Sequence, residues 1–330
     1  MDDERTVLKM PKKHYVSLFL TVALAFVLIA CDAKIETGHL SGFSSEDGLA
    51  YELFVPAHYD GETPLGLVMM LHGGGQTAAD IALLSRLDDY AEIRDLFVLY
   101  PEQSVSANSD RYWNWFLSQN QARGTGEPAL LASLLGEVMD AYAIDPDRVI
   151  VAGFSAGGCM AITLGILYPD LFAGFGAAGA VGYGAASDVV SAFAAMNGTL
   201  PDPELAAAAI DLATPAMVRR PLKALFIHGT TDARVDVTNV SYAIDVLALL
   251  NGRIEPDFPD LPTATNRYEP EGRLAFTVRD YAFGENVELR SYIVEGMAHR
   301  WPGAPAAETY GEPLAPDFSE LILSFFFAIE

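Results

Sequence analysis

From residue 48 onward the apolar positions switch repeatedly between two spacings. Short apolar runs bounded by turn residues predict strands at 49–55, 66–71 (GLVMML), 96–100, 148–153, 175–181, 222–228 and 287–294. Segments with an apolar residue every three to four positions predict helices at 77–95, 128–142, 157–168, near 240–250, and at 318–328. In the second of these, Leu131, Leu134, Leu135, Val138, Met139 and Tyr142 share one face. Strands alternating with helices in this way predict an α/β fold, a mostly parallel sheet covered by helices on both sides.

Two stretches interrupt the alternation. Residues 183–220 are Ala-rich and weakly patterned, which suggests a lid or insert over the carboxyl edge of the sheet. Residues 251–281 are rich in Pro, Asp and Glu and are expected to form a long surface loop with short extra strands. No internal repeat or low-complexity linker is seen, so 32–330 reads as one catalytic domain.

The N-terminal segment reads differently. Lys9, Lys12 and Lys13 precede an apolar run from residue 16 to 30 whose only polar members are Ser17 and Thr21. A basic stretch before a short apolar run is the pattern of an export signal. It ends Leu28-Ile29-Ala30-Cys31, which resembles a bacterial lipobox with Cys31 as the lipidation site. Residues 1–31 are therefore expected to act as a lipoprotein signal. The acidic start makes Met10 a rival initiator. The expected location is a membrane-anchored lipoprotein, periplasmic or at the cell surface, with plain secretion as the alternative. The only other cysteine, Cys159, is read as a small buried hydrophobe.

The chain of 330 residues carries a formal charge of −24. Its first thirty residues hold Arg5, Lys9, Lys12 and Lys13 against Asp2, Asp3 and Glu4, so the acidic excess belongs to the remainder. Such a surface repels phosphate backbones and excludes nucleic acid as an expected partner.

Candidate chemistry begins at RVIVAGFSAGG (148–158), a β-branched run that passes through Gly153-Phe154-Ser155-Ala156-Gly157 into a helical segment. A serine between glycines at a strand-to-helix turn is the context of a nucleophile elbow. Serine needs a base, usually histidine held by a carboxylate. Of six histidines, His14, His39, His58 and His72 precede Ser155, leaving His228 and His299. His299 follows the last predicted strand, where the base is expected. Asp232 follows the strand ending at His228 and is expected as the orienting acid, with Asp236 as its rival. His228 is then expected to be structural.

For the oxyanion of an acyl-transfer intermediate, backbone N–H donors are expected from Ala156 and from the glycines of Leu71-His72-Gly73-Gly74-Gly75-Gln76, with Gly74 first and Gly73 next. The loop lacks the lysine of a phosphate-binding loop. The three tryptophans, Trp113, Trp115 and Trp301, are candidates for an apolar substrate pocket, Trp301 the strongest by its nearness to His299. The implied chemistry is cleavage of carboxylic esters without metal or cofactor.

The segments LHGGGQTAAD (71–80), LYPEQ (99–103), WNWF (113–116), RVIVAGFSAGGCMA (148–161), YPDLFAG (168–174), HGTTDARVDVTN (228–239) and VEGMAHRWPG (294–303) together resemble the poly(3-hydroxybutyrate) depolymerase-like esterases, which are related to feruloyl and acetyl-xylan esterases. The resemblance spans about residues 45–330. It implies an α/β-hydrolase fold and Ser155, Asp232 and His299 as the triad. It implies hydroxyalkanoate oligomers or polymer as substrate, with acylated plant polysaccharide second and acyl transfer a more distant alternative. A monomer is expected. Relatives often carry a cysteine pair at the positions of Gly74 and Tyr112, and both are absent here, so the loop must be held otherwise.

Overall fold

The computed structural model describes residues 36–45, 48–213 and 220–327. The expected lipobox, with Cys31, lies outside the described residues. The described chain enters a sheet through two antiparallel strands, β1 (Gly38–Phe43) and β2 (Ala50–Val55). The first was not expected, because GHLSGF holds only two large apolar residues, Leu40 and Phe43, and none of its positions is fully buried.

The core of the sheet is parallel. Strands β3 (Leu65–Leu71), β4 (Leu96–Pro101), β5 (Ile144–Phe154), β6 (Gly174–Ala178) and β7 (Ala224–Gly229) pair in the order β4-β3-β5-β6-β7. Their apolar runs are nearly continuous because both faces are covered; Leu67 to Leu71 are all fully buried. Three antiparallel-paired strands complete the far edge as β7-β10-β9-β8, where β8 is Ala264–Tyr268, β9 Phe276–Phe283 and β10 Asn286–Val294. β10 itself runs parallel to β7. The first two of these are the extra strands expected in 251–281.

One face packs on helices α1 (Ala78–Ser85), α2 (Leu87–Arg94) and α8 (Phe318–Phe326), whose Ile81, Leu84, Leu87, Phe318 and Ile322 join Val68, Met70 and Ile150 in one cluster. The remaining helices are α3 (Gly126–Ala141), α4 (Ala156–Leu167), α5 (Val189–Met196), α6 (Pro203–Ala213) and α7 (Thr238–Ile254). Of these, α4 packs on β3, β5 and β6, and its residues are buried all round.

The expected helix over 77–95 is two helices. Arg86 breaks it with φ 54° and reaches across to Asp317 at 2.5 Å and to the carbonyl of Gly303 at 3.3 Å. No Gly or Pro marks that break; the deciding contact lies far away in sequence. The insert at 183–220 contains α5 and α6, two helices that its weak pattern did not resolve.

Strand order places the site. The chain leaves β3 toward β4 on one side and returns to β5 on the other, so the carboxyl ends of β3 and β5 flank a topological switch point. Leu71 pairs with Gly153 there. On the next side, Gly229 pairs with Val294, which brings the loops after β7 and β10 together.

Candidate active site

Ser155 stands between β5 and α4 with φ 54° and ψ −119°, a sparsely populated conformation for a residue with a side chain. Its N–H donates to the carbonyl of Ala178 at 2.9 Å and its carbonyl accepts from Cys159. The flanking glycines answer to close approach. A β-carbon on Gly157 would meet the carbonyl oxygen of Leu71 at 2.2 Å, and one on Gly153 would meet Gly157 at 2.3 Å. The turn therefore has room for glycine alone at both places, and it aims the α4 N-terminus at the site.

His299 and Asp232 meet as their loops leave β10 and β7. His299 Nδ1 lies 2.7 Å from Asp232 Oδ2 and donates to it, which leaves Nε2 as the acceptor on the other edge of the ring. The ring lies against Phe154, centroids 4.9 Å apart. Asp232 is itself held on every side: Oδ1 accepts the N–H groups of Arg234 at 2.8 Å and Val235 at 2.9 Å. Burial opposes its charge, but hydrogen bonds from His228 and His299, with the Val235 N–H, hold the carboxyl below its usual range.

His228 is buried beside this pair. Its Nε2 donates to the carbonyl of Val235 at 2.8 Å and lies 3.3 Å from Asp232 Oδ2. Asp236 serves another end: its Oδ1 accepts from the N–H of Thr238 at 2.9 Å and from its hydroxyl at 2.6 Å, at the start of α7.

The glycine loop after β3 is organised by its neighbours. His72 Nδ1 donates to the Gly73 carbonyl at 2.8 Å, and its Nε2 accepts from the N–H of Gln103 at 3.0 Å. Burial lowers its pKa, which keeps it in this neutral form. Gly73 spends its own N–H on Gln76 Oε1 at 2.8 Å, and Gly75 donates to Asp110. Among the described residues, the N–H of Gly74 is left without a partner, whereas that of Gly73 is engaged by Gln76. Where relatives are expected to carry paired cysteines, the Tyr112 ring packs on Gly74.

Ser155 lies between two spaces. A cavity of about 380 Å³ is walled by Trp115, Phe116, Val181, Val189, Ala192, Phe193 and Met196, with Cys159 and Ala156 beside the serine. The residues from Val189 to Met196 belong to α5, so the insert covers this side. A second, narrow cleft of about 20 Å³ is shared by Ser155, Gly74, His299, Arg234, Tyr112 and Tyr310.

Of the three tryptophans, only Trp115 lines the cavity. Trp113 is buried against His72, ring centroids 5.3 Å apart. Trp301 sits in the core behind Phe154, packed on Phe318, with its Nε1 donating to Ser319 Oγ at 3.3 Å. Nearness to His299 in sequence misled, because the chain turns inward at that residue to pair the short strands β11 (Trp301–Pro302) and β12 (Gly311–Glu312). Cys159 touches the cavity, but burial pushes its thiol up to about 12 and its sulfur accepts the N–H of Val181. It is thus held as a thiol. Arg234, Tyr310 and Gly179 escaped sequence reasoning, since none stands in a pattern with a mechanism of its own. Among the described residues, no three His, Cys, Asp or Glu side chains converge as metal ligands would.

The family model for esterase PHB depolymerase matches residues 49–260. The chain belongs to the esterase PHB depolymerase family. Within the family, the matched stretch holds Ser155 and Asp232, and His299 lies beyond it. The chain is 28% identical over 269 residues to poly(3-hydroxyalkanoate) depolymerase C of Paucimonas lemoignei, covering 81% of this chain and 62% of the relative. It is 28% identical over 141 residues to feruloyl esterase B of Thermothelomyces thermophilus, covering 42% of this chain and 47% of the relative. It thus spans less than two thirds of the length of either. A solved structure, an acetyl xylan esterase from Aspergillus awamori, superposes with a TM-score of 0.65 at 18% identity, over 80% of this chain and 94% of the other. That likeness establishes the α/β-hydrolase fold.

Proposed function

We propose that this protein is a serine carboxylic-ester hydrolase acting on hydroxyalkanoate esters, oligomers or polymer. The observation that carries the reading is the 2.7 Å contact of His299 Nδ1 with Asp232 Oδ2, made beside a cleft that His299 shares with Ser155. In this reading Ser155 Oγ attacks the ester carbonyl while His299 Nε2 takes its proton. Asp232 fixes the imidazole tautomer and balances the charge that forms. The N–H groups of Ala156 and Gly74 receive the oxyanion, each contributing several kcal/mol to the transition state. His299 then protonates the departing alcohol, and water, activated by the same base, splits the acyl-enzyme. The acyl chain lies in the apolar cavity under α5.

Purified protein is expected to hydrolyse p-nitrophenyl butyrate, with S155A reduced by about 10⁴-fold or more. Undiminished activity in that variant would sink the reading. The feruloyl esterase relative supports a second substrate class, acylated polysaccharide; products released from polyhydroxybutyrate and from feruloylated xylan, compared under one assay, decide between them. We also propose export and lipid anchoring through Cys31, supported by the basic segment, the apolar run and Ala30-Cys31. C31S is expected to lose labelling by radioactive palmitate, and retained labelling would overturn the anchor.

A further inference from the structure

The two sides of Ser155 differ in polarity. The larger cavity is walled by Trp115, Val181, Ala192 and Met196, which suit an acyl chain. The second space, a cleft of only about 20 Å³, is bounded by His299, Arg234 and Tyr310, with Arg234 exposed at its edge. Catalysis assigns these sides, because the base that deprotonates the serine must also protonate the departing alkoxide. The alcohol half of the ester therefore leaves on the side of His299, where Arg234 stands.

Arg234 is placed by the same loop that carries the acid: its backbone N–H donates to Asp232 Oδ1 at 2.8 Å. Its guanidinium lies over the Tyr310 ring, 5.9 Å from the centroid. Arg86, Arg123, Arg267 and Arg290 each hold a carboxylate. Among the described residues, Arg234 has no such partner. Arg234 is exposed at the edge of this cleft, so its guanidinium is free to meet an anion that a substrate brings beside Ser155.

We infer that Arg234 is a specificity-determining residue that receives the free carboxylate of a hydroxy-acid leaving group. The inference rests on the serine-esterase reading and narrows it. A guanidinium offers a planar fork of donors suited to a carboxylate, and it is charged at every working pH. Internal units of a polyester present only neutral ester carbonyls; the terminal unit alone carries a carboxylate near its alcohol oxygen. The site therefore favours short soluble oligoesters, cut at the bond before the acid end. In that step the Ser155 oxygen–acyl bond forms as the bond to the hydroxy acid breaks. The proton from Ser155 passes through His299 to the leaving oxygen, and the carboxylate stays ionised on Arg234. Water then releases the acyl group as its acid and restores the serine hydroxyl.

The test compares kcat/KM for the linear dimer of 3-hydroxybutyrate as free acid with that for its methyl ester. Wild type is expected to favour the free acid by about tenfold or more, as a charge-assisted contact implies. The ratio should fall to near one in R234Q, persist in part in R234K and reverse in R234E. The wild-type ratio should also shrink as salt is raised. Equal ratios in wild type and R234Q, or no preference in wild type, would overturn the inference. Hydrolysis of p-nitrophenyl butyrate separates the two failures: its absence removes the esterase reading itself, whereas its presence with an unmoved ratio removes only the role of Arg234.

Discussion

Tyr112 lies so close over Gly74 that a β-carbon at residue 74 would sit 2.2 Å from Tyr112 Cε1. The ring and the glycine fill the two positions where a cysteine pair is expected in relatives, so packing takes over the work of a covalent tie. A second clip lies one residue on, where the N–H of Gly75 donates to the carbonyl of Asp110 at 2.8 Å. G74A forces the ring away and tilts the one loop N–H left free for an oxyanion. We expect a stability loss of about 1–3 kcal/mol, as for overpacking elsewhere. Ester hydrolysis should fall at least about tenfold, in line with a disturbed oxyanion donor. G74A/Y112A should recover much of the stability; thermal unfolding and kcat/KM on p-nitrophenyl butyrate check both. A fully stable and active G74A would refute the account of the loop.

Glu127 holds the segment after β4 that carries Tyr112. Its buried carboxyl accepts from the Asn114 N–H at 2.7 Å, from Asn114 Nδ2 at 2.5 Å and from Gln103 Nε2 at 2.7 Å. Removing it strands three donors, so E127A is expected to cost about 3 kcal/mol. Burial raises the Glu127 pKa from its ordinary 4.5, with the hydrogen bonds working against that rise. A carboxyl raised on folding binds its proton more readily in the folded state, so its contribution is complete below the unfolded pKa and declines as pH rises through the folded one. The gap in unfolding free energy between wild type and E127A should therefore narrow as pH rises above the ordinary carboxylate range. Urea unfolding at a series of pH values measures it, and a gap that widens with pH contradicts the assignment.

The two ends of this network were unequally legible in the sequence. The elbow at Ser155 and the parallel core strands carry dense local signals: apolar runs, glycines at the turn, a small-residue helix behind. The meeting of His299 with Asp232, 2.7 Å apart, was legible because the chain has so few histidines and because each residue follows a strand. The break at Arg86 and the inward turn at Trp301 could not, since each is decided by contacts far away along the chain, Arg86 with Asp317 and Trp301 with Phe318 and Ser319. Arg234 and Tyr310 are ordinary residues locally, and only the meeting of the chain after β7 with the chain after β10 gives them a cleft to face.

Gly179 controls the imidazole from behind. It follows β6 with φ 58°, and a β-carbon there would lie 3.1 Å from His299 Cε1 and 3.2 Å from Nδ1. G179A adds backbone strain of about 1 kcal/mol and presses the ring away from Asp232. Because the geometry of the base matters only as the reaction proceeds, kcat should fall by about tenfold to a hundredfold while KM changes little. Steady-state kinetics beside a near-native thermal transition would show the effect; an unchanged kcat would mean that the ring has room to spare.

On the serine-esterase reading, helix α5 is expected to set the length of the acyl group, because its residues line the cavity beside Ser155. Ala192 and Met196 face the cavity from one side of this helix and Trp115 and Val181 close it from elsewhere, so its volume depends on a residue as small as alanine. Ala192 is buried, and α5 is fixed at its start by a reciprocal cap in which Asp188 accepts the Ser191 N–H and the Ser191 hydroxyl accepts the Asp188 N–H. A leucine at 192 cannot swing out to solvent without lifting the helix, so its extra atoms project into the cavity. A192L should hydrolyse p-nitrophenyl acetate nearly as well as wild type but lose about tenfold on the hexanoate ester, since each excluded methylene is worth about 0.8 kcal/mol of burial. M196A should shift the preference the opposite way, toward longer chains. If A192L lowers acetate and hexanoate rates by the same factor, the acyl group lies elsewhere and the cavity under α5 belongs to another part of the substrate.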